Sequence, residues 1–207
     1  VDQTRGWFYS MIVLGTALFG RSPYKNVITN GLVLAEDGRK MSKSLKNYPD
    51  PMDVVDTYGA DTLRFYLLSS SIIRGEDLNF SEKNLAELTR KNIGRLANVV
   101  SFYELYKEAE VSADLAHSSV HVLDTWILAR LDEVVSEVTE GMEKYELDRA
   151  TRPITGFIDD LSVWYLRRSR ERLKYGVKEA LATLLFVLRE TSKLIAPFAP
   201  FMAEHLW

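Results

Sequence analysis

Between residues 81 and 207 apolar side chains return every three or four positions in four successive runs separated by short connections. That periodicity restricts the fold more than any other feature. The first run is predicted to start at a Ser81 cap and reach about Lys107, with Leu85, Leu88, Ile93, Leu96, Val99, Val100 and Tyr103 on one face. A linker of small and polar residues spans 111–122. Asp124 reads as the cap of a second helix carrying Ile127, Leu131, Val134, Val135, Val138 and Met142. A third begins after Asp148 with Ile154, Phe157, Ile158, Leu161 and Trp164, and Pro153 is placed to kink its early turns. The fourth starts near Val177 and repeats the spacing in Leu181, Leu184, Leu185, Leu188 and Ile195. Four amphipathic helices joined this way can hide their apolar stripes only against one another, so an all-α antiparallel bundle is expected.

The first 50 residues follow another rule. Residues 1–8 read as the end of a strand or the loop after it. The helical spacing of Phe8, Met11, Ile12, Gly15 and Leu18 predicts a helix to about Phe19. Val27 to Leu34 is β-branched and contains Asn30-Gly31, which predicts strand, turn or bulge, then strand. Strand, helix and strand would form a βαβ unit, whose ligands sit at the carboxyl ends of the strands. Asp2, Gln3 and the segment after Leu34 fall there.

That segment is Glu36-Asp37-Gly38-Arg39 followed by Lys40-Met41-Ser42-Lys43-Ser44. Two lysines three apart, each a compact charge on a long stem, can follow a polyphosphate whose charge moves during reaction, and Ser42 and Ser44 add neutral donors. As a bare pattern it reads more readily as a solvated basic turn. Gly38 permits the turn before it, and Asn47, Pro49, Asp50 and Pro51 close it. Asp50 and Pro51 start a helix that Gly59 ends, and Asp61 reads as the cap of the next, with Arg64 on its polar side.

The chain has 207 residues, no cysteine and a net charge of -3, which excludes a disulfide framework and thiolate zinc sites and fits a reducing, cytoplasmic setting. With an acidic balance, nucleic acid has to be held by a local basic face. Trp164-Tyr165-Leu166-Arg167-Arg168-Ser169-Arg170, with Arg172 and Lys174 beyond it, supplies one candidate; a solvated helix face is the other reading. Trp7 suits a core position or the wall of a ligand pocket, and Asp2 and Gln3 alone would pass for surface residues. His205 reads as a structural or surface histidine. The apolar stretch from Phe8 to Phe19 is too short for a membrane span. The start at Val1, without methionine and directly on a dense motif, suggests a piece of a longer protein.

Lys-Met-Ser-Lys-Ser resembles the second signature of the class I aminoacyl-tRNA synthetases. Asp2-Gln-Thr-Arg-Gly-Trp-Phe-Tyr9, the Trp164–Arg170 run and the helix break from Ala196 to Trp207 are similar to the isoleucyl branch. Tyr58-Gly-Ala-Asp-Thr-Leu-Arg-Phe65 resembles the segment that joins the catalytic sheet to the helical domain. The resemblance implies the α/β end of a nucleotide-binding, Rossmann-like catalytic domain over residues 1–50, a connecting segment over 51–80, and a helical anticodon-binding domain, incomplete, over 81–207. It implies ATP-dependent formation of isoleucyl-adenylate and transfer to tRNA(Ile), with ATP entering as its Mg2+ complex, isoleucine and tRNA as partners, and no metal bound by this chain and no membrane. By the same resemblance Lys40 and Lys43 are catalytic, and Lys40, Ser42, Lys43, Ser44 and Asp2 bind ATP. Asp2, Gln3 and Trp7 hold the aminoacyl-adenylate, and Trp164, Arg167, Arg168 and Arg170 meet tRNA. The His-Ile-Gly-His signature that completes the ATP site is absent from these residues, so the chain carries half a site and is expected to be inactive alone. A valyl or leucyl synthetase, or a non-enzymatic tRNA-binding module built from synthetase parts, are the other readings.

Overall fold

The computed structural model describes residues 2–107 and 111–207, the side chains of Asp2 and Gln3 excepted; Val1 lies outside. Asp2–Arg5 form a 3-10 turn where the end of a strand or a loop was expected. Helix α1 (Trp7–Phe19) follows as its spacing predicts, and Gly20 closes it in the left-handed conformation. Of the strand predicted over 27–34, only β1 (Val33–Leu34) forms. A strand needs a partner for its ladder, and only this stretch finds one: it pairs in parallel with β2 (Leu78–Asn79), Val33 opposite Leu78. Asn30-Gly31 makes no hairpin. Gly31 is required there because a Cβ would lie 2.0 Å from the Glu76 carbonyl oxygen, while its N–H donates to Ile72 O. The predicted βαβ unit through α1 is therefore not formed among the described residues.

The parallel pair is joined instead through α2 (Pro51–Tyr58) and α3 (Ala60–Leu68), so the crossover comes after the lysine segment. Asp50 caps α2 by accepting from Met52 N at 2.8 Å, with Pro51 in the first turn, and Gly59 ends the helix at φ 84°. Asp61 does not cap α3. It lies inside the first turn, and its carboxylate reaches a helix 140 residues away, as described below.

The helical half starts from Ser81, which accepts from Asn84 N. Helix α4 (Glu82–Leu88) passes through a π turn over Thr89–Ile93 into α5 (Gly94–Tyr106). The linker holds a 3-10 helix over Ala113–Ser118 and leads to α6 (Val122–Glu143). Helix α7 (Leu147–Asp159), which starts before Asp148 and keeps Pro153 inside it, continues through a second π turn (Asp160–Leu166) into α8 (Arg167–Lys174). Then come α9 (Lys178–Ile195) and α10 (Pro200–Leu206). One core takes Leu96, Val99, Ile127, Leu131, Ile154, Phe157, Leu161, Tyr165 and Leu184 from these elements and Phe198 from the break between α9 and α10. At the α6–α7 corner Gly141 lets the chains approach: a Cβ there would sit 2.9 Å from Ala150 N. No helix among the described residues is long and apolar enough to cross a membrane.

The cap of α6 also differs from expectation. His121 holds the cap position, its Nδ1 accepting from Leu123 N at 3.2 Å, and Asp124 lies fully buried one turn in. A free carboxylate could not stay there. Arg172 grips it with two N–H donors at 2.7 and 2.9 Å, Tyr165 donates its hydroxyl at 2.9 Å and Ser119 at 2.6 Å. Burial pushes its pKa up, and the donations from Arg172, Ser119 and Tyr165 more than offset this, leaving it below the ordinary 3.8. Burial first, then the Asp124 charge, pushes the Tyr165 hydroxyl far above its usual range.

Removing Asp124 strands the guanidinium of Arg172, a side chain that keeps 21% of its surface in water. Asp124→Ala is expected to cost roughly 3 kcal/mol in urea unfolding, and the double change Asp124→Leu with Arg172→Met less than Asp124→Ala alone. Because the folded pKa lies below the unfolded one, the contribution is complete above about pH 4 and is lost as pH falls through the folded value. Asp124→Asn should remove that part of the acid sensitivity.

Candidate functional site

The lysine segment leaves the carboxyl end of β1. Ala35 N donates to Arg39 O at 2.9 Å, Gly38 turns the chain at φ 79°, and Lys40 bridges back to Leu34. Beyond that hairpin the loop is held at two points. Asn47 accepts from Ser42 N through Oδ1 at 2.9 Å and donates through Nδ2 to Lys40 O at 3.2 Å, so one side chain ties the first and third residues of the motif. Met41 packs on the apolar cluster of Val54, Tyr66, Phe80 and Leu85 and borders a cavity of about 220 Å³ lined also by Val33, Tyr48, Pro49, Leu63 and Leu67. Lys40 and Lys43 stay exposed, and the Ser42 and Ser44 hydroxyls share a 2.7 Å hydrogen bond. The motif is thus a pinned loop with its methionine inward and its two ammonium groups outward. That arrangement can offer cations and hydroxyls to an anionic ligand.

The arginine run is rearranged by the π turn before it. At a regular helical spacing Trp164 would follow Leu161 into the core, but the wider turn delays the phase by one residue. Tyr165, Ser169 and Leu173 become the buried positions, and Trp164 is left 46% exposed. The guanidinium carbon of Arg168 lies 3.8 Å from the Trp164 ring centroid, with Trp126 edge-on at 6.5 Å, and Arg170 stands over Phe102 at 5.8 Å. Arg167 is exposed. Arg172, grouped with the patch from sequence, turns inward and spends its guanidinium donors on Asp124.

The structure places Trp7 at the first residue of α1, where it is 68% exposed. Asp2 and Gln3 share the preceding turn, and the reach of their side chains lies outside the described residues. The lysine loop and the arginine helix rest on separate apolar clusters. Two contributors were not visible beforehand. Asn47 read as a turn residue, although Asn five positions after a hydroxyl-bearing loop residue is spaced to close such a loop. Asp61 read as a local cap because its true partners are far away in sequence.

Comparison with known proteins fits this geometry. Residues 1–81 match the class I tRNA synthetases (I, L, M and V), and residues 124–207 match the anticodon-binding domain of tRNA ligase. Isoleucine–tRNA ligase of Chlamydia muridarum is 45% identical over 217 residues, taking in 100% of this chain and 21% of the relative. That of Bdellovibrio bacteriovorus is 46% identical over 211 residues, or 99% and 20%. The chain spans about a fifth of the length of these curated relatives. Among solved structures, LeuRS of Agrobacterium radiobacter K84, in a ternary complex with tRNA and LeuAMS, superposes with a TM-score of 0.70 at 23% identity, covering 97% of this chain and 24% of that one. Methionyl-tRNA synthetase of Mycobacterium tuberculosis, in complex with methionyl-adenylate, gives 0.64 at 23%, covering 86% and 36%. At that identity the likeness concerns the fold, a synthetase catalytic part followed by an anticodon-binding part. With both portions matched and relatives aligned along its whole length, the chain belongs to the class I aminoacyl-tRNA synthetases.

Proposed function

We propose that the chain is part of an isoleucine–tRNA ligase: the end of a Rossmann-like catalytic domain over residues 1–50, a connector over 51–80, and an antiparallel helical anticodon-binding bundle over 81–207. The observation that carries this reading is the pinned loop, which sinks Met41 and leaves Lys40 and Lys43 exposed. In the proposed reaction the isoleucine carboxylate attacks the α-phosphorus of Mg2+-bound ATP, giving isoleucyl-adenylate and pyrophosphate. The acyl group then passes to the terminal ribose of tRNA(Ile). Lys43, with Lys40, Ser42 and Ser44 beside it, meets the negative charge that gathers on the leaving pyrophosphate, a contribution concentrated in the transition state. Asp2 and Gln3 hold the adenylate, Asp2 through the ribose, and Trp7 borders the aliphatic side chain. Specificity for isoleucine is supported by the names of the relatives aligned over the whole chain.

The exposed surface of Trp164, Arg167, Arg168 and Arg170 is assigned to tRNA. Arg168 already stacks on Trp164, and an indole with a cation on its face suits contact with an unpaired base beside a phosphate.

In the full-length enzyme, Lys43→Ala is expected to lower isoleucine-dependent ATP–pyrophosphate exchange by about 100-fold with little change in the Michaelis constant for isoleucine. Equal exchange rates in the variant and its parent would refute the role of Lys43. Assays with valine and leucine in place of isoleucine test the substrate. Asn47→Ala frees Ser42 N and Lys40 O together and is expected to slow exchange by between about 10- and 100-fold through misplacement of the loop, with circular dichroism unchanged. Replacing Arg167, Arg168 and Arg170 with Ala should weaken tRNA binding and flatten its salt dependence by about 0.7 to 0.9 in log–log slope for each phosphate that is no longer neutralised. Binding and slope identical to the parent would return these arginines to a solvated helix face.

A further inference from the structure

Helix α10 begins without a cap of its own. Ala199 stands at the cap position, and its methyl group can accept nothing. The amides of Phe201 and Met202 are instead taken by the two carboxylate oxygens of Asp61, at 3.3 and 2.6 Å, across 140 and 141 residues of chain. One turn further along α3, the Arg64 guanidinium donates to Pro197 O at 3.0 Å, in the break that follows α9. Between them Phe65 meets Phe198 edge to face, centroids 6.4 Å apart, with both rings buried. Three residues in one turn and a half of α3 therefore grip both sides of the α9–α10 break: an acceptor for its free N–H groups, a donor for its free carbonyl, and an aromatic contact in the middle. Asp61 is only 6% exposed, so its bonds are screened little by water.

The opposite face of the same helix carries the loop. Leu63 and Leu67 line the cavity beside Met41, and Tyr66 packs edge-on against Phe80 at 5.8 Å. Helix α9, on the far side of the break, packs against α8, which bears the arginines. A continuous path of packed elements thus leads from the lysine loop through α3 and the break to the arginine helix.

We propose that Asp61 and Arg64 are positioning residues that clamp the α9–α10 break to α3 and so fix the lysine loop relative to the tRNA-bearing helices during acyl transfer. The inference rests on the function proposed above. Without the clamp the two clusters keep their own packing, but the angle between them loosens. Adenylate formation, which needs only the loop and its own domain, then proceeds, while delivery of a tRNA end held by the helical half becomes imprecise.

The test has two arms. The first uses the 207-residue chain, whose lack of cysteine allows a clean pair of spin labels at Asp56→Cys on α2 and Glu171→Cys on α8. The interspin distance distribution should be narrow in the parent and broaden in Asp61→Ala with Arg64→Ala. Asp61→Asn, which keeps one acceptor, should fall between them, and an unchanged distribution overturns the clamp. The second arm uses the full-length enzyme. The same double variant is expected to lower kcat/KM for tRNA in charging by about 10-fold while ATP–pyrophosphate exchange stays within about twofold, and Arg64→Lys, which can still donate to Pro197 O, should recover most of the loss. Equal losses in exchange and charging that track a fall in thermal stability would make the residues merely structural and overturn the proposal. If the unaltered enzyme neither exchanges nor charges, the functional reading falls, and the distance distributions decide the clamp by themselves.

Discussion

The structure depends on a helix buried on two faces. Phe65 and Tyr66 are neighbours in α3, yet Phe65 joins the large core of the helical half and Tyr66 the small cluster under the lysine loop. Side chains one position apart on a helix point about 100° from each other, so a nine-residue helix can serve two cores only when its apolar residues run consecutively. Phe65, Tyr66, Leu67 and Leu68 do so, Phe65 and Leu68 on the large core and Tyr66 and Leu67 on the small cluster. An isolated helix this short would be marginal in water; packing on both sides makes it a fixed part of the fold.

Around that helix, polar groups do what apolar area alone cannot. The small cluster has four buried members, too few to hold a long loop by burial, and the loop is fixed by Asn47, which satisfies one backbone donor and one acceptor with a single amide. In the helical half, Asp124 joins the start of α6 to Tyr165 in the π turn and Arg172 in α8, so the helix that bears the arginines is held through a buried ion pair as well as through its leucines. Such groups have strict geometry. They specify one arrangement among several that hydrophobic contact would tolerate.

Much of this was legible in the sequence where the information is local. The starts at Ser81 and Asp50-Pro51, the stop at Gly59 and the apolar stripes of α5, α6 and α9 need only neighbouring residues, and they are found close to where they were expected. Asp61 and Asp124 were both read as caps of the nearest helix, because a carboxylate before an apolar run is satisfied most simply by its own amides; each instead has partners 41 to 141 residues away. The short β1 is the opposite case. Residues 27–34 have strand composition, but a strand exists only as far as its partner, and composition does not say how long that partner is. In the candidate site the lysines were plain from their motif, whereas the withdrawal of Arg172 from the basic face depends on the phase change just before it.

That phase change carries its own consequence. The π turn over Asp160–Leu166 lengthens the helix by a residue without breaking it, and everything after it is rotated by about 100° relative to a continuous α-helix. Winding the same residues as a continuous α-helix would leave every arginine in the sequence and still alter which of them solvent can reach. Arg168 would be carried toward the core face, and Ser169 would leave the buried position that its small side chain suits. The outward direction of the arginines is thus set by the width of the backbone turn that precedes them, a property that no single side chain holds.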